Sequence, residues 1–239
     1  METKMKIEIW SDIVCPFCYI GKRKFDKALE QFEHRENVEV VWRSFQLFPY
    51  YEQKPGSDFY EEVGKLKGIN RERSVLLHGQ VTQAAKDAGL AYNFGKITLP
   101  NTFDAHRFTH FAKQNNLQNE AEERLFSAYF TEGKNINDMD VLSQLGEEIG
   151  LSMEETKEVL YSSQFTNEVK KDIETAQLLG ISGIPHFRID GEFYISGAQD
   201  VSSFLDTLRQ AWNSRTIKPK NVGTQDSTGA SCSVDGDCK

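Results

Sequence analysis

The first fifth of the chain changes from a strand-like to a helix-like pattern of apolar and polar residues, and then changes back. Residues 6–12, KIEIWSD, alternate apolar and polar side chains and predict a β-strand. Helical spacing follows and predicts a helix ending near Glu33, with apolar positions at Phe25, Ala28, Leu29 and Phe32. The β-branched and aromatic segment 38–45, VEVVWRSF, predicts a second strand. Because the crossover between the two strands is short, we expect them to be parallel.

A long middle segment has the 3.6-residue periodicity of amphipathic helices. Between residues 56 and 164 several runs repeat apolar residues at helical spacing, and some of these runs end in glycine. Ser152 and Glu155 have the spacing of a capping box at the start of the last run. The segment 56–164 is therefore predicted to be an inserted, all-helical domain.

Strand patterns return after this helical segment. Residues 187–190 and 192–195 flank Asp190-Gly191, a dipeptide typical of two-residue hairpin turns. A final amphipathic helix is predicted over residues 199–212. Residues 214–239 are polar and rich in Gly and Ser, which predicts a flexible C-terminal tail.

Without the helical segment, the predicted elements form a βαβ unit followed by a ββα unit. This order is the plan of an α/β, thioredoxin-like fold. Residues 1–55 and 165–213 would then form one thioredoxin-like domain, which the large all-helical insertion interrupts.

The net charge and the hydropathy of the chain indicate which partners it can bind and where it works. The formal net charge of −8 disfavours binding to nucleic acid and to anionic lipid. No apolar run is long enough for a transmembrane helix, and the N-terminal residues lack the apolar core of a secretory signal. We therefore expect a cytoplasmic protein that works without a membrane, in a compartment where structural disulfides are rare.

Two of the four cysteines, Cys15 and Cys18, stand three apart where the first strand pattern ends and the helix pattern begins. If Cys15 is the N-cap, Pro16 occupies the first helical position, where its missing N–H is not needed. The helix N-terminus then stabilises a thiolate on Cys15, and Cys18 is near enough to attack a mixed disulfide formed there. This geometry predicts a redox couple in which Cys15 is the more exposed and more readily ionised thiol.

Two other interpretations of the pair are weaker. A C-P-x-C turn can form half of a four-cysteine zinc site. Here, however, Tyr19-Ile20 follow the pair directly, and the tail cysteines Cys232 and Cys238 have five residues between them. Ordinary buried thiols would leave the proline and the helix start unexplained. We predict no metal site.

Pro185 in the segment SGIPHF is the second element that this chemistry needs. Proline directly before a strand is tolerated only at a strand start or edge, and the tight sequence around it makes a cis bond a candidate. A trans proline entering the strand is the alternative. In a thioredoxin-like plan this loop lies beside the cysteines, where the backbone of Ile184 can pair with an extended substrate. The predicted substrate-binding residues are Pro16, Phe17, Ile184 and His186, with an ordinary surface histidine as the alternative for His186.

Four segments, SDIVCPFCYIG, NTFDAHR, GISGIPHFRIDG and SGAQD, resemble in order and spacing the DsbA-type thioredoxin-fold oxidoreductases, especially the cytosolic FrnE-like branch. The resemblance covers about residues 4–212. It implies disulfide exchange on protein substrates, with Cys15 attacking, Cys18 resolving, Pro185 cis and the helical insertion packed over the site. Phe17 is a departure, because the periplasmic oxidants have histidine there. Without that histidine we expect a weaker oxidant.

Several other residues have both a functional and an ordinary interpretation. Asp12 either relays a proton to Cys18 or caps its loop. Cys232 and Cys238 form an accessory redox pair, or else an exposed pair that has no role or binds adventitious metal. His106 and His110 have the i, i+4 spacing of a metal pair but no evident third ligand. Residues 101–104 fit a helix N-cap first and a glutathione site second.

The predicted function is that of a cytosolic thiol–disulfide oxidoreductase or isomerase acting on proteins. It needs no cofactor beyond its redox-active disulfide, with glutathione as a candidate co-substrate. Its expected partners are thiol- or disulfide-containing proteins and a thioredoxin or glutathione system. One alternative is a glutathione-dependent transferase or isomerase on the same fold, although those relatives have serine at the first cysteine position. A chaperone-like peptide binder is the other.

Overall fold

The computed structural model describes residues 4–54, 56–216 and 232–233, the last two by their backbone. Cys238 and most of the predicted tail lie outside the described residues. No helix in the described part of the chain is long and apolar enough to cross a bilayer.

The βαβ unit predicted at the N-terminus is present. Strand β1 (Met5–Ser11) leads into helix α1 (Pro16–Gln31) and then, after a 3₁₀ turn, into strand β2 (Val38–Ser44). The two strands are parallel along their whole length. Their register places the cysteine-bearing start of α1 at the C-terminal edge of the sheet, where β1 ends.

The ββα unit closes the sheet. Strand β4 (His186–Ile189) runs antiparallel to β1 and to β5 (Phe193–Ser196), which gives the strand order β2-β1-β4-β5. Asp190 and Gly191 both have positive φ, +48° and +76°, as the predicted hairpin turn requires. Helix α9 (Val201–Thr216) ends four residues beyond the predicted end at residue 212.

The predicted helical insertion follows β2. It contains six helices within the described residues: α2 (Phe59–Leu66), α3 (Arg71–Asp87), α4 (Phe103–Gln114), α5 (Gln118–Phe126), α6 (Met139–Glu148) and α7 (Met153–Tyr161). A π-helical turn continues α5 over Ser127–Glu132, and helix α8 (Thr166–Leu178) leads back to the sheet. Ser152 caps α7, as predicted, by accepting the Glu155 N–H at 3.3 Å.

Two apolar cores meet at the sheet. One packs α1 and α9 against β1, β4 and β5 and includes Ile7, Phe25 and Phe187. The other joins the start of α1 to the helical insertion, and it includes both Cys15 and Cys18. The insertion therefore packs over the cysteines, as the resemblance implied.

A second, two-stranded sheet lies beside the first. It pairs strand β3 (Gly183–Ile184), directly before Pro185, with strand β6 (Cys232–Ser233) in antiparallel orientation. Gly183 lies opposite Ser233, and Ile184 lies opposite Cys232. A short part of the predicted tail is thus an ordered strand in this structure.

Candidate active site

The first turn of α1 positions both cysteines. Cys15 is the N-cap with extended backbone angles (φ −84°, ψ 111°), and Pro16 is the first helical residue, as the sequence predicts. The Cys15 backbone N–H donates to the Asp12 carbonyl at 3.0 Å, and the Cys18 N–H donates to the Cys15 carbonyl at 3.0 Å. These bonds hold both thiols at the positive end of the helix dipole.

The prediction that Cys15 is the more exposed thiol is wrong. Its residue is 0% exposed, and Cys18 is 1% exposed. The Cys15 thiol lies against the loop before Pro185 and donates to the Ile184 carbonyl oxygen at 3.8 Å. A local pattern in the sequence could not show that this distant loop would cover the sulfur.

Ionisation of the Cys18 thiol is strongly disfavoured. Burial raises its pKa well above the ordinary value, and the neighbouring Cys15 raises it further. A backbone hydrogen bond from Asp12 acts in the opposite direction with a smaller effect. Cys18 is thus held as a neutral thiol, and it needs a base before it can attack a mixed disulfide.

The Ile184–Pro185 peptide bond is cis, which confirms the prediction from the sequence. The proline ring packs against α1 at Gly21, where an added methyl group would come within 2.9 Å of the Pro185 Cγ. Only glycine at this position lets the helix and the loop approach so closely. The contact fixes the loop beside the first turn of α1, where the cysteines lie.

The predicted substrate-binding residues have different surroundings. Pro16 and Ile184 are buried, and Phe17 is half-buried against the core around the cysteines. His186 lies on the sheet instead, with Nδ1 3.1 Å from the Ser196 Oγ and its ring stacked on Tyr194. Burial lowers the pKa of His186 to about 4, so its imidazole is neutral at physiological pH.

Tyr92 is part of the site although no pattern in the sequence marks it. Its hydroxyl donates to the Pro16 carbonyl oxygen at 2.7 Å, which joins the helical insertion to the turn between the cysteines. The ring stacks on Phe130 with centroids 4.5 Å apart. Tyr92 therefore holds the turn between the two cysteines from the side of the insertion.

Asp12 lies in a buried polar cluster beneath the cysteines. Its Oδ2 accepts the Leu47 N–H at 2.8 Å. Its Oδ1 is 3.4 Å from the Nε2 of His106, which also contacts the Phe45 carbonyl oxygen at 2.8 Å. Burial opposes charge on His106, but the hydrogen bond and the negative charge of Asp12 outweigh it, and the pKa of the imidazole is raised.

Glu122 is the third member of this cluster, and no local pattern in the sequence predicts its role. The carboxyl is buried, and its Oε2 has no hydrogen-bond partner. Burial raises the pKa of Glu122 to about 7, while the positive charges of His106 and Lys22 act in the opposite direction. Glu122 can therefore exchange a proton near neutral pH in a place that water does not reach freely.

The metal-pair interpretation of His106 and His110 is not supported by their contacts. His110 Nε2 lies 3.0 Å from the Asp172 Oδ2, whereas His106 contacts Asp12. Among the described residues, no group of three or more His, Cys, Asp or Glu is arranged to hold a metal ion. Asn101 belongs to the start of α4, where its Oδ1 accepts the Phe103 N–H at 3.0 Å, which matches its interpretation as part of a cap.

Comparison with known proteins agrees with this geometry. The family model described as the DSBA-like thioredoxin domain matches residues 6–209. YwbO, an uncharacterized protein of Bacillus subtilis, is 31% identical over 194 residues, covering 80% of this chain and 90% of YwbO. The crystal structure of the probable DsbA oxidoreductase SCO1869 from Streptomyces coelicolor is 33% identical, with a TM-score of 0.82 and 98% of each chain covered.

A more distant solved structure is that of the cytosolic disulfide reductase DsbM from Pseudomonas aeruginosa with GSH. It is 15% identical and has a TM-score of 0.57, and the match covers 90% of this chain and 100% of DsbM. At this identity the likeness concerns the fold.

Proposed function

We propose, from the premise that this chain belongs to the DSBA-like thioredoxin domain family, that it is a cytosolic disulfide oxidoreductase acting on proteins through the Cys15–Cys18 couple. Members of the family and its structural neighbours are disulfide oxidoreductases or isomerases. One observation carries the assignment of the residues. Cys15 is the N-cap of α1, Cys18 follows one turn later, and the Cys15 sulfur lies 3.8 Å from the Ile184 carbonyl oxygen, directly before cis-Pro185.

The exchange begins at Cys15. Its thiolate attacks one sulfur of a substrate disulfide, a Cys15–substrate bond forms, and the other substrate sulfur leaves as a thiolate that takes up a proton. Cys18 then attacks the Cys15 sulfur, which breaks the mixed disulfide and releases the second substrate thiol. The enzyme has lost two electrons and the substrate has gained them. The reverse sequence oxidises a dithiol substrate.

The buried cluster beneath the site supplies the base for the second step. Cys18 is held neutral by burial, so its proton has to leave as it attacks the mixed disulfide. Asp12 is the nearest acid along the chain, and His106 and Glu122 lie behind it in the same buried region. We assign Asp12 as the first proton acceptor and Glu122 as the group that holds the proton near neutral pH.

A thiol donor must return the couple to the dithiol state after it has reduced a substrate. Glutathione or a thioredoxin supplies the two electrons in our proposal. The solved complex of DsbM with GSH supports glutathione, although that structure is similar to this chain at the level of the fold. Assignment to the FrnE-like branch and to the cytosol is part of the same proposal.

The two cysteines also favour this function over the alternative of a glutathione transferase. A transferase activates the thiol of glutathione and has no use for a resolving thiol. Here Cys18 is buried one helical turn from Cys15, which is the position that resolution of a mixed disulfide requires. The other alternative, a chaperone-like protein that only binds peptides, would need neither thiol.

Insulin reduction with glutathione as the electron donor tests the proposal. We expect Cys15→Ser to abolish turnover, and Cys18→Ser to accumulate a mixed disulfide on Cys15 that peptide mass mapping locates. Asp12→Asn, with both cysteines present, should prolong the lifetime of the Cys15–substrate mixed disulfide at pH 7 relative to the wild type. Undiminished turnover by Cys15→Ser, or conjugation of glutathione to an electrophile by that variant, would overturn the assignment.

A further inference from the structure

Ser11 is the last residue of β1, and it interrupts the apolar face that this strand turns towards α1. Side chains alternate between the two faces of a strand, so Met5, Ile7, Ile9 and Ser11 lie on one face. The first three are buried in the apolar core that the sheet shares with α1. Ser11 is also buried, with 1% of its surface exposed. A hydroxyl group in such surroundings costs free energy unless it finds a hydrogen-bond partner.

The Ser11 hydroxyl has no such partner within the described part of the chain. Ser44 is its register neighbour on β2, but the Ser44 Oγ contacts the Nε2 of His110 at 3.3 Å. The Phe45 N–H donates to the Ser11 carbonyl oxygen at 3.0 Å, and not to the hydroxyl oxygen. Buried polar side chains without a partner are uncommon in native proteins, and a catalytic role is one explanation for them.

The sulfur of Cys18 lies within reach of this hydroxyl. Burial is the main influence on the pKa of Cys18 and raises it, and Cys15 raises it further. A hydrogen bond from the Ser11 side chain lowers this pKa, which means that the bond stabilises the ionised sulfur. Because Cys18 is a neutral thiol in the resting protein, the hydroxyl gains a full acceptor only as the sulfur loses its proton.

We propose that Ser11 is a catalytic residue, whose hydroxyl stabilises the negative charge that develops on the Cys18 sulfur during its attack on the mixed disulfide. The inference rests on the proposed function and adds a residue to its second step. A donor that is unpaired in the resting site and paired in the transition state lowers the barrier, because only interactions that strengthen towards the transition state do so. Strand β1 holds this donor in place before the reaction begins.

Ser11 donates a hydrogen bond in this step and keeps its own proton. The Cys18 proton passes to Asp12, the Cys18 sulfur bonds to Cys15, and the Cys15–substrate bond breaks, so that the substrate sulfur leaves as a thiolate that takes up a proton. In the reverse direction Cys18 is the leaving group, and Ser11 stabilises the same charge. Reduced Cys18 is a neutral thiol and oxidised Cys18 is a disulfide sulfur, so neither end state has this charge. Loss of the hydroxyl should therefore slow both directions by the same factor.

Rapid mixing of the reduced full-length Ser11→Ala chain with oxidised glutathione tests the proposal. Acid quenching and mass spectrometry separate the Cys15–glutathione mixed disulfide from the Cys15–Cys18 disulfide. We expect formation of the mixed disulfide to change less than about twofold and its resolution to slow about tenfold at pH 7, the effect of losing a hydrogen bond to a charged group. Attack of reduced glutathione on the oxidised couple should slow by the same factor, and the reduction potential should not change. Resolution at the wild-type rate, or slowing in one direction only, would overturn the proposal.

Urea unfolding and a second serine variant separate this role from a structural one. Ser11→Ala removes a buried hydroxyl that has no partner, so the variant should be at least as stable as the wild type. Ser143→Ala is the matched control, because it removes a buried hydroxyl that already donates to the Met139 carbonyl oxygen at 2.7 Å. This control should resolve the mixed disulfide at the wild-type rate. A clear loss of stability in Ser11→Ala, or equal slowing by Ser143→Ala, would overturn the catalytic role.

A parallel reaction distinguishes failure of this inference from failure of the proposed function. Cys18→Ser is treated with oxidised glutathione and should accumulate a mixed disulfide on Cys15, which peptide mapping locates. If this adduct forms and Ser11→Ala resolves its own adduct as fast as the wild type, Ser11 has no catalytic role while the oxidoreductase assignment stands. If Cys18→Ser forms no adduct on Cys15, both the inference and the proposed function are wrong.

Discussion

Gly21 and Pro185 lie so close that a methyl group on Gly21 would come within 2.9 Å of the Pro185 Cγ. The two residues come from opposite ends of the chain, one from the cysteine helix and the other from the cis-proline loop. Their contact sets the distance between the cysteine turn and the loop before Pro185, where we propose that a substrate binds. The geometry of the site therefore depends on a residue that has no chemistry of its own.

Gly21→Ala should consequently weaken both folding and activity. The added methyl group forces the loop away from α1, at a cost of about 1–3 kcal/mol, although alanine recovers up to about 1 kcal/mol of helix propensity. Urea unfolding and insulin reduction provide the measurements. Gly79→Ala is the matched control, because nothing lies within 4 Å of the added atom there, and this variant should be stabilised. Equal effects of the two substitutions would argue against the contact.

Tyr92→Phe tests how the helical insertion holds the turn between Cys15 and Cys18. The substitution removes the Tyr92 hydrogen bond to the Pro16 carbonyl, whose net contribution to stability is about 0.5–1.5 kcal/mol. We expect a lower urea midpoint together with slower turnover, because the turn between the cysteines is less restrained. Tyr129→Phe is the control: its buried hydroxyl has no hydrogen-bond partner, so its removal should cost little. Similar losses in both variants would assign the effect to packing rather than to the hydrogen bond.

Features set by neighbouring residues could be predicted from the sequence. Pro16 directly after Cys15 indicates the start of a helix, and Asp190-Gly191 indicates a hairpin turn, because both depend on local backbone preferences. The parallel β1–β2 pair followed from alternation and a short crossover. The structure has each of these elements within a few residues of the predicted bounds.

Contacts across the domain junction could not be predicted in this way. Tyr92 reaches Pro16 over 76 positions, and nothing in the pattern near Tyr92 selects that partner. His106 and His110 share a spacing that suggests one common ligand, yet they contact Asp12 and Asp172 separately. The burial of Cys15 depends on Ile184, 169 positions away. Periodicity indicates that a side chain is buried, but it does not indicate which distant group it meets.

The buried carboxyl of Glu122 should make stability depend on pH. Its pKa is raised from 4.5 to about 7 by folding, so its protonated form is favoured in the folded state. The stabilisation is present below about pH 4.5 and is lost as pH rises through about 7, with an upper bound of about 3 kcal/mol. Glu122→Gln should therefore lose less stability than the wild type between pH 5 and pH 8, as urea unfolding at both values would measure.

Glu120→Gln provides the control for this experiment, because Glu120 is exposed on the same helix. It should leave the pH dependence of unfolding unchanged. If Glu122→Gln follows the wild-type profile in parallel, the carboxyl is already ionised in the folded protein and does not hold a proton near neutral pH. The proton route beneath Cys18 would then lose its second member.

The last prediction concerns Phe17, the residue between Pro16 and Cys18. The first turn of α1 has no acidic residue, and phenylalanine adds no positive charge beside the Cys15 sulfur. Phe17→His introduces an imidazolium there, which favours the thiolate and so stabilises the reduced couple. The reduction potential should rise by about 30 mV or more, since about 30 mV corresponds to a tenfold change for a two-electron couple. Equilibration with glutathione buffers at pH 6.5 measures it.

Phe17→Leu separates charge from packing in this experiment, because it removes the half-buried ring without adding a charge. The potential of Phe17→His should exceed that of Phe17→Leu at pH 6.5, and the difference should shrink as pH rises past the titration range of histidine, near 6.5 for an unperturbed side chain. A difference that does not change with pH would mean that the ring shape, and not the imidazolium, sets the potential. The absence of a charged side chain between Cys15 and Cys18 would then not explain why we expect this protein to be a weak oxidant.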